Sequence, residues 1–143
     1  MYVIEDSVYA PLIIAYGGDL VEKLRKIKSV ILDLTLYEAC NVSWKEHAEL
    51  HKVSEEEVVT ACKAAEALSR YITLCSLADL DAAEVMEVAI ENGITFYDAS
   101  YIALARKLKA SIASEDSDIL AVAPKYGVRV VRLSELANIL EQA

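Results

Sequence analysis

Five short apolar runs punctuate the chain, and between them apolar residues recur at helical spacing. Tyr2-Val3-Ile4, Val30-Ile31-Leu32, the segment 71–77, Ala110–Ala113 and Val128–Arg132 read as strands. Each is a brief run closed by polar or turn residues, the pattern of a buried strand. A helix follows the first strand and ends at Gly17-Gly18, and a second, amphipathic helix covers Asp19 to Lys28. A long helix runs from Leu34 to about Lys52. Ser54 with Glu57 forms a capping box that opens the next helix, through about Ser69. A helix from about Leu80 to Glu91 is closed by Asn92-Gly93. Thr95 caps another, a short helix covers Ser117–Ala123, Pro124 and Gly127 mark a turn, and Ser134 caps the last helix. Strands that alternate with helices in this way predict an α/β sandwich with a mainly parallel central sheet.

The stretch from Ile94 to Leu120 organises the rest. Residues 99–105 are apolar or small on nearly every side, so this helix is expected to be buried. Tyr97, Tyr101, Leu104 and Leu108 follow helical spacing and read as core. Asp98 falls in the first turn of that helix, and the strand after it stops at Ser114-Glu115-Asp116-Ser117-Asp118. In parallel sheets, sites form beyond the C-terminal ends of the strands. Glu5/Asp6, after the first strand, and Asp116 are both expected on that edge. Together with Glu38 and Asp98 they suggest one carboxylate site gathered from separate elements.

Composition bounds this picture. The 143 residues suit a single domain, 1–143, which at this size buries about two thirds of the surface its unfolded chain exposes. Apolar residues make up 55% and mean hydropathy is +0.30, yet no apolar run approaches the roughly 20 residues of a membrane span. The first ten residues lack a basic segment and reach an acid at Glu5, so they read as a strand rather than a signal peptide. Cys40, Cys62 and Cys75 form no CxxC pair, and an odd count argues against a disulfide framework. Small buried thiols in a reducing cytoplasm are the expectation. Asn and Gln total four, which leans toward a heat-adapted source.

Charge sharpens the chemical question. The net charge is −9, from 23 acids and 14 bases, a poor balance for phosphate contacts made by Lys and Arg. Clustered carboxylates resist joint ionisation unless a cation neutralises them, and a divalent ion would also offset the field facing a polyanion. Oxygen-only ligands suit hard ions such as Mg²⁺ or Mn²⁺. Each acid also has an ordinary role open to it. Asp98 suits the positive end of a helix dipole, Glu38 and Asn41 fit a solvated helical face, and Asp116 or Asp118 can cap the next helix. His47 and His51 are four apart without the HExxH order, so they read as surface residues. Lys23, Arg25, Lys26 and Lys28 read as a solvated face, and Arg106, Lys107 and Lys109 as cations at a helix end.

Four motifs give the chain a resemblance to the PIN-domain ribonucleases, of the kind found as the toxin half of VapBC pairs. They are Val3-Ile4-Glu5-Asp6-Ser7-Val8; Leu34-Thr35-Leu36-Tyr37-Glu38-Ala39-Cys40-Asn41; Phe96-Tyr97-Asp98-Ala99-Ser100 with its apolar helix; and Ser114-Glu115-Asp116-Ser117-Asp118. The last two are the most specific. The resemblance covers essentially the whole chain and implies a three-layer α/β/α sandwich. It implies hydrolysis of an RNA phosphodiester by water activated at one or two Mg²⁺ or Mn²⁺ ions, held by Glu5 or Asp6, Asp98 and Asp116. Glu38 would bind directly or through water, Asn41 and Ser114 would orient ligands, and Asp118 would assist a second ion. The family pattern is acid, small residue, Ser; counting back from Ser7 favours Glu5, residue type favours Asp6. Adjacent strand residues point to opposite faces, so only one is expected to face the metal, with a slight preference for Glu5. A cytoplasmic homodimer paired with a VapB-like antitoxin is implied. The alternative is a catalytically impaired PIN-like domain acting as an interaction module.

Overall fold

A computed structural model describes all 143 residues. Five strands form one sheet in the order β3-β2-β1-β4-β5, with every pairing parallel. They are β1 (Tyr2–Ile4), β2 (Ser29–Leu32), β3 (Thr73–Cys75), β4 (Ser111–Ala113) and β5 (Val130–Val131). β1 matches its apolar run and β2 gains Ser29, whereas β3, β4 and β5 are shorter than the runs that announce them.

Alternation along each strand feeds two cores. Val3, Val30, Leu32 and Ile112 enter one, and Ile4, Ile31, Ala113 and Val131 enter the other. The first is covered by α5 (Ala82–Asn92), α6 (Phe96–Leu108) and α7 (Ser117–Val122). The second is covered by α1 (Asp6–Tyr16), α2 (Leu20–Lys26), α3 (Asp33–Ala48), α4 (Glu55–Ser69) and α8 (Leu133–Gln142). The result is the expected α/β/α sandwich. Helix α6 is buried without a break from Ala99 to Ala105, as its all-round apolarity predicts. No helix is long and apolar enough to cross a membrane.

Local signals set most boundaries. Ser54 accepts from the Glu57 amide at 3.2 Å, Thr95 accepts from the Asp98 amide at 3.1 Å, and Gly93 closes α5 in the left-handed conformation. Ser134 does not cap α8. The helix begins two residues earlier than that cap would set it, at Leu133; Arg132 is its N-cap, and no side chain caps it. Helix α3 ends at Ala48, and His51 lies beyond it with φ +51°, so the two histidines share no helical face. Tyr97 is 60% exposed rather than core, whereas Tyr101 is fully buried. Spacing places both on one stripe, but the continuous burial of α6 begins only at Ala99.

The cysteine expectation is also corrected: Cys40 on α3 and Cys62 on α4 form a disulfide. An odd count leaves one thiol over, Cys75, without forbidding a bridge between the other two. Helices α3 and α4 pack side by side and bring together sulfurs that sequence spacing does not pair. Such a bridge does not define the compartment, because intracellular proteins of hyperthermophiles are a disulfide-rich exception to the usual rule.

Candidate metal centre

The chain adds β2 and β3 on one side of β1, then returns to add β4 and β5 on the other. The switch point lies between β1 and β4, where a parallel sheet leaves a crevice beyond its strand ends. Glu5 follows β1 there and Ser114 follows β4. Two groups of acids meet at this crevice. Glu5, Asp6 and Glu38 each offer an oxygen within 4.8 Å of the others, as do Asp98, Asp116 and Asp118. The groups also sense one another electrostatically. The charges of Glu5, Asp98 and Asp116 all raise the Glu38 carboxyl, and those of Asp116, Asp118 and Glu5 raise Asp98.

The first motif departs from the expected choice between Glu5 and Asp6. Strand pairing stops at Ile4, Glu5 is the N-cap of α1, and Asp6 is its first residue. Strand alternation no longer separates the pair, so both carboxylates face the crevice. Glu5 is only 4% exposed. Its Oε2 accepts from the Ser7 amide at 3.2 Å, from the Ser7 hydroxyl and from the Ser114 hydroxyl at 2.8 Å. The Ser114 hydroxyl in turn accepts from the Asp116 amide at 3.0 Å, and that of Ser7 accepts from the Glu115 amide at 2.9 Å. Two serines thus tie the first and fourth motifs together.

Asp116 takes the capping role, one of the two that the sequence left open. Its Oδ1 caps α7, accepting from the amides of Asp118 at 2.9 Å and Ile119 at 3.1 Å, which leaves Oδ2 for the crevice. Glu38 is held by a residue assigned only to the core: Tyr101 donates to Glu38 Oε1 at 2.8 Å. The Tyr101 hydroxyl also meets Thr35 Oγ1 at 2.9 Å, and Thr35 donates to the Ile4 carbonyl at 3.4 Å. The signal available in the sequence was the one phenol within the buried run 99–105 of α6, since a buried Tyr hydroxyl usually has a partner. Asn41 lies on α3 with Glu38, exposed and without a hydrogen bond to the acids.

Burial and crowding set the electrostatics. Burial first, then sharing a proton with Asp6, pushes Glu5 up to about 8. Burial first, then the Asp116 charge, pushes Asp98 up to about 6. Asp6 and Glu38 are also raised, burial being the larger cause in each. No Lys, Arg or His forms an ion pair with any of these four carboxylates. An all-oxygen donor set that resists ionisation and has no neighbouring cation fits a hard divalent ion.

The sheet order and the converging acids define a PIN-type domain. No family model matches the chain. It is 39% identical over 94 residues to exonuclease VapC9 of Pyrobaculum aerophilum, 66% of either chain. It is 30% identical over 88 residues to ribonuclease VapC3 of the same organism, 62% of this chain and 66% of that one. The matched region therefore spans just under two thirds of each of these relatives. A solved Pyrobaculum aerophilum structure superposes with a TM-score of 0.76 at 29% identity, covering 99% of this chain and 90% of the other. A PilT N-terminus domain protein of Sulfolobus solfataricus shares the fold, with a TM-score of 0.53 at 21% identity and coverage of 99% and 95%. The chain is thus similar to VapC-type nucleases and has the PIN-domain fold.

Proposed function

We propose that this protein is a metal-dependent endoribonuclease, the toxin half of a toxin–antitoxin pair, acting in the cytoplasm as a homodimer restrained by a VapB-like antitoxin. The observation that carries the reading is the convergence of six carboxylates from separate elements at the switch point, with no cation among them. That both Glu5 and Asp6 face the crevice favours an active site over the impaired-domain alternative, which rested on an altered first acid.

The residues divide the work. Asp98 is placed by the first turn of α6, the Asp116 carboxylate is fixed by capping α7, and Glu38 is oriented by Tyr101. Glu5 and Asp6 complete the oxygen cage, with Glu5 immobilised by Ser7 and Ser114. Asp118, exposed beside Asp116, suits a second ion. Asn41, one turn beyond Glu38, faces solvent where an RNA phosphate would approach. A bound Mg²⁺ or Mn²⁺ would lower the pKa of a water it holds and offset charge on the phosphoryl group.

Replacing Asp98 or Asp116 by Asn tests the assignment. Each change keeps the shape, removes one charge, and is expected to abolish both Mn²⁺ binding and RNA cleavage. Cleavage at the parental rate in either variant would overturn it. Internally labelled and end-labelled RNA distinguish internal cuts from the exonuclease activity named for the VapC9 relative.

A further inference from the structure

At the opposite edge of the sheet, where β2 and β3 begin, lies a cavity of about 610 Å³. Its wall differs in kind from the metal centre. It holds Arg25, Lys28 and Arg70 and no Asp or Glu, in a chain whose acids outnumber its bases by 23 to 14. Arg25 donates through Nε to the Tyr71 carbonyl at 2.9 Å, and no carboxylate pairs with its terminal nitrogens. Lys28 pairs with none either. Arg70 shares its guanidinium with Glu66 at 2.5 Å on the same helix.

A second observation is independent of charge. Ser29 also lines this cavity. It is 6% exposed, and its hydroxyl is the one buried side-chain polar atom in the protein with no hydrogen-bond partner. Buried polar groups are nearly always paired, so this hydroxyl, sealed in the wall of a cavity that three cations also line, gains a partner if the wall yields to an acceptor bound there. Two guanidinium groups, an ammonium and a hydroxyl are the donors that recognise a phosphate. The rest of the wall has a different character: the Tyr71 ring is 57% exposed, with Ile72 and Leu108 beside it. A flat aromatic face suits a nucleobase, which stacks whatever its sequence identity. The volume lies within the range of small-ligand pockets, about 300–1,000 Å³.

We propose that this cavity binds a nucleoside monophosphate, with its phosphate among Arg25, Lys28, Arg70 and the Ser29 hydroxyl and its base against Tyr71. The site stands apart from the metal centre, at the other end of the strands, and does not depend on the nuclease reading.

Calorimetric titration of the intact protein in chelator tests it, because the metal-free acids repel phosphate from the other edge. Adenosine 5′-monophosphate is expected to bind at least tenfold tighter than inorganic phosphate, and adenosine alone not to bind at millimolar concentration. Lys28 has φ +56°, a conformation that Asn tolerates, so Lys28→Asn keeps the backbone and should weaken phosphate and nucleotide about equally. Tyr71→Ala should weaken only the nucleotide. Ser29→Ala gives the most diagnostic pair of readings: it should raise Tm by removing an unpaired hydroxyl while lowering nucleotide affinity. Absence of binding at 10-fold molar excess in the millimolar range, equal affinity for phosphate and nucleotide, or affinity unchanged by Lys28→Asn would each overturn the proposal.

Discussion

Replacing Tyr101 by Phe removes a single oxygen and leaves the ring of a fully buried side chain in place. That oxygen donates to Glu38 at 2.8 Å and meets Thr35 at 2.9 Å. A hydrogen bond to a charged group contributes about 1.5–3 kcal/mol. Losing it should weaken Mn²⁺ binding by roughly 10- to 100-fold, the range seen when an outer partner of a metal ligand is removed. The direction also follows from charge: the Tyr101 hydrogen bond lowers the Glu38 pKa against burial and the neighbouring acids. Without it, Glu38 holds its proton more tightly and competes less well for a cation. Stability should fall by about 1–2 kcal/mol, because Thr35 keeps only its long bond to Ile4. Calorimetric Mn²⁺ titration reads the affinity, and thermal melting in chelator reads the stability. The double variant Tyr101→Phe/Glu38→Gln should bind Mn²⁺ no more weakly than Glu38→Gln alone, because Tyr101 acts through Glu38. Mn²⁺ affinity unchanged in Tyr101→Phe, or full additivity in the double variant, would refute the reasoning.

Two further outcomes follow. The metal-free protein should lose stability as pH rises from about 4.5 to 8. Glu5 has its folded pKa raised from 4.5 to about 8 and Asp98 from 3.8 to about 6, so their contribution is complete below the unfolded values and lost through the folded ones, at up to about 1.4 kcal/mol per pH unit for each group. Acids held below their usual range, such as Glu115 by Arg132, act in the opposite sense only at lower pH. Melting in chelator between pH 5 and 8 reads the slope, which Mn²⁺ should flatten or reverse because it binds the ionised form; a stability that climbs with pH in chelator contradicts the account. Cys40→Ala/Cys62→Ala opens a loop with a sequence separation of 22, and the chain-entropy relation gives a loss of about 3 kcal/mol. Urea unfolding of oxidised and reduced protein measures it, and coincident curves would show that the bridge contributes nothing.

What the sequence determined by itself was the set of elements and most of their ends. Thr95, Ser54 and Gly93 act through bonds to residues a few positions away, so their effect is written locally. The all-round apolarity of 99–105 likewise states that α6 is buried, and the acids at strand ends state which edge carries them. The relation between Glu5 and Asp6 needed the tertiary structure, because it depends on where β1 loses its neighbour. So did the partner of Tyr101, which is 63 residues away in Glu38, and the pairing of Cys40 with Cys62, which depends on how α3 lies against α4. The basic cavity was hidden for the same reason. Arg25, Lys28 and Arg70 look like ordinary solvated charges along the chain, and only the parallel sheet, which sets β2 beside β3, puts them around one space and leaves Ser29 without a partner inside it.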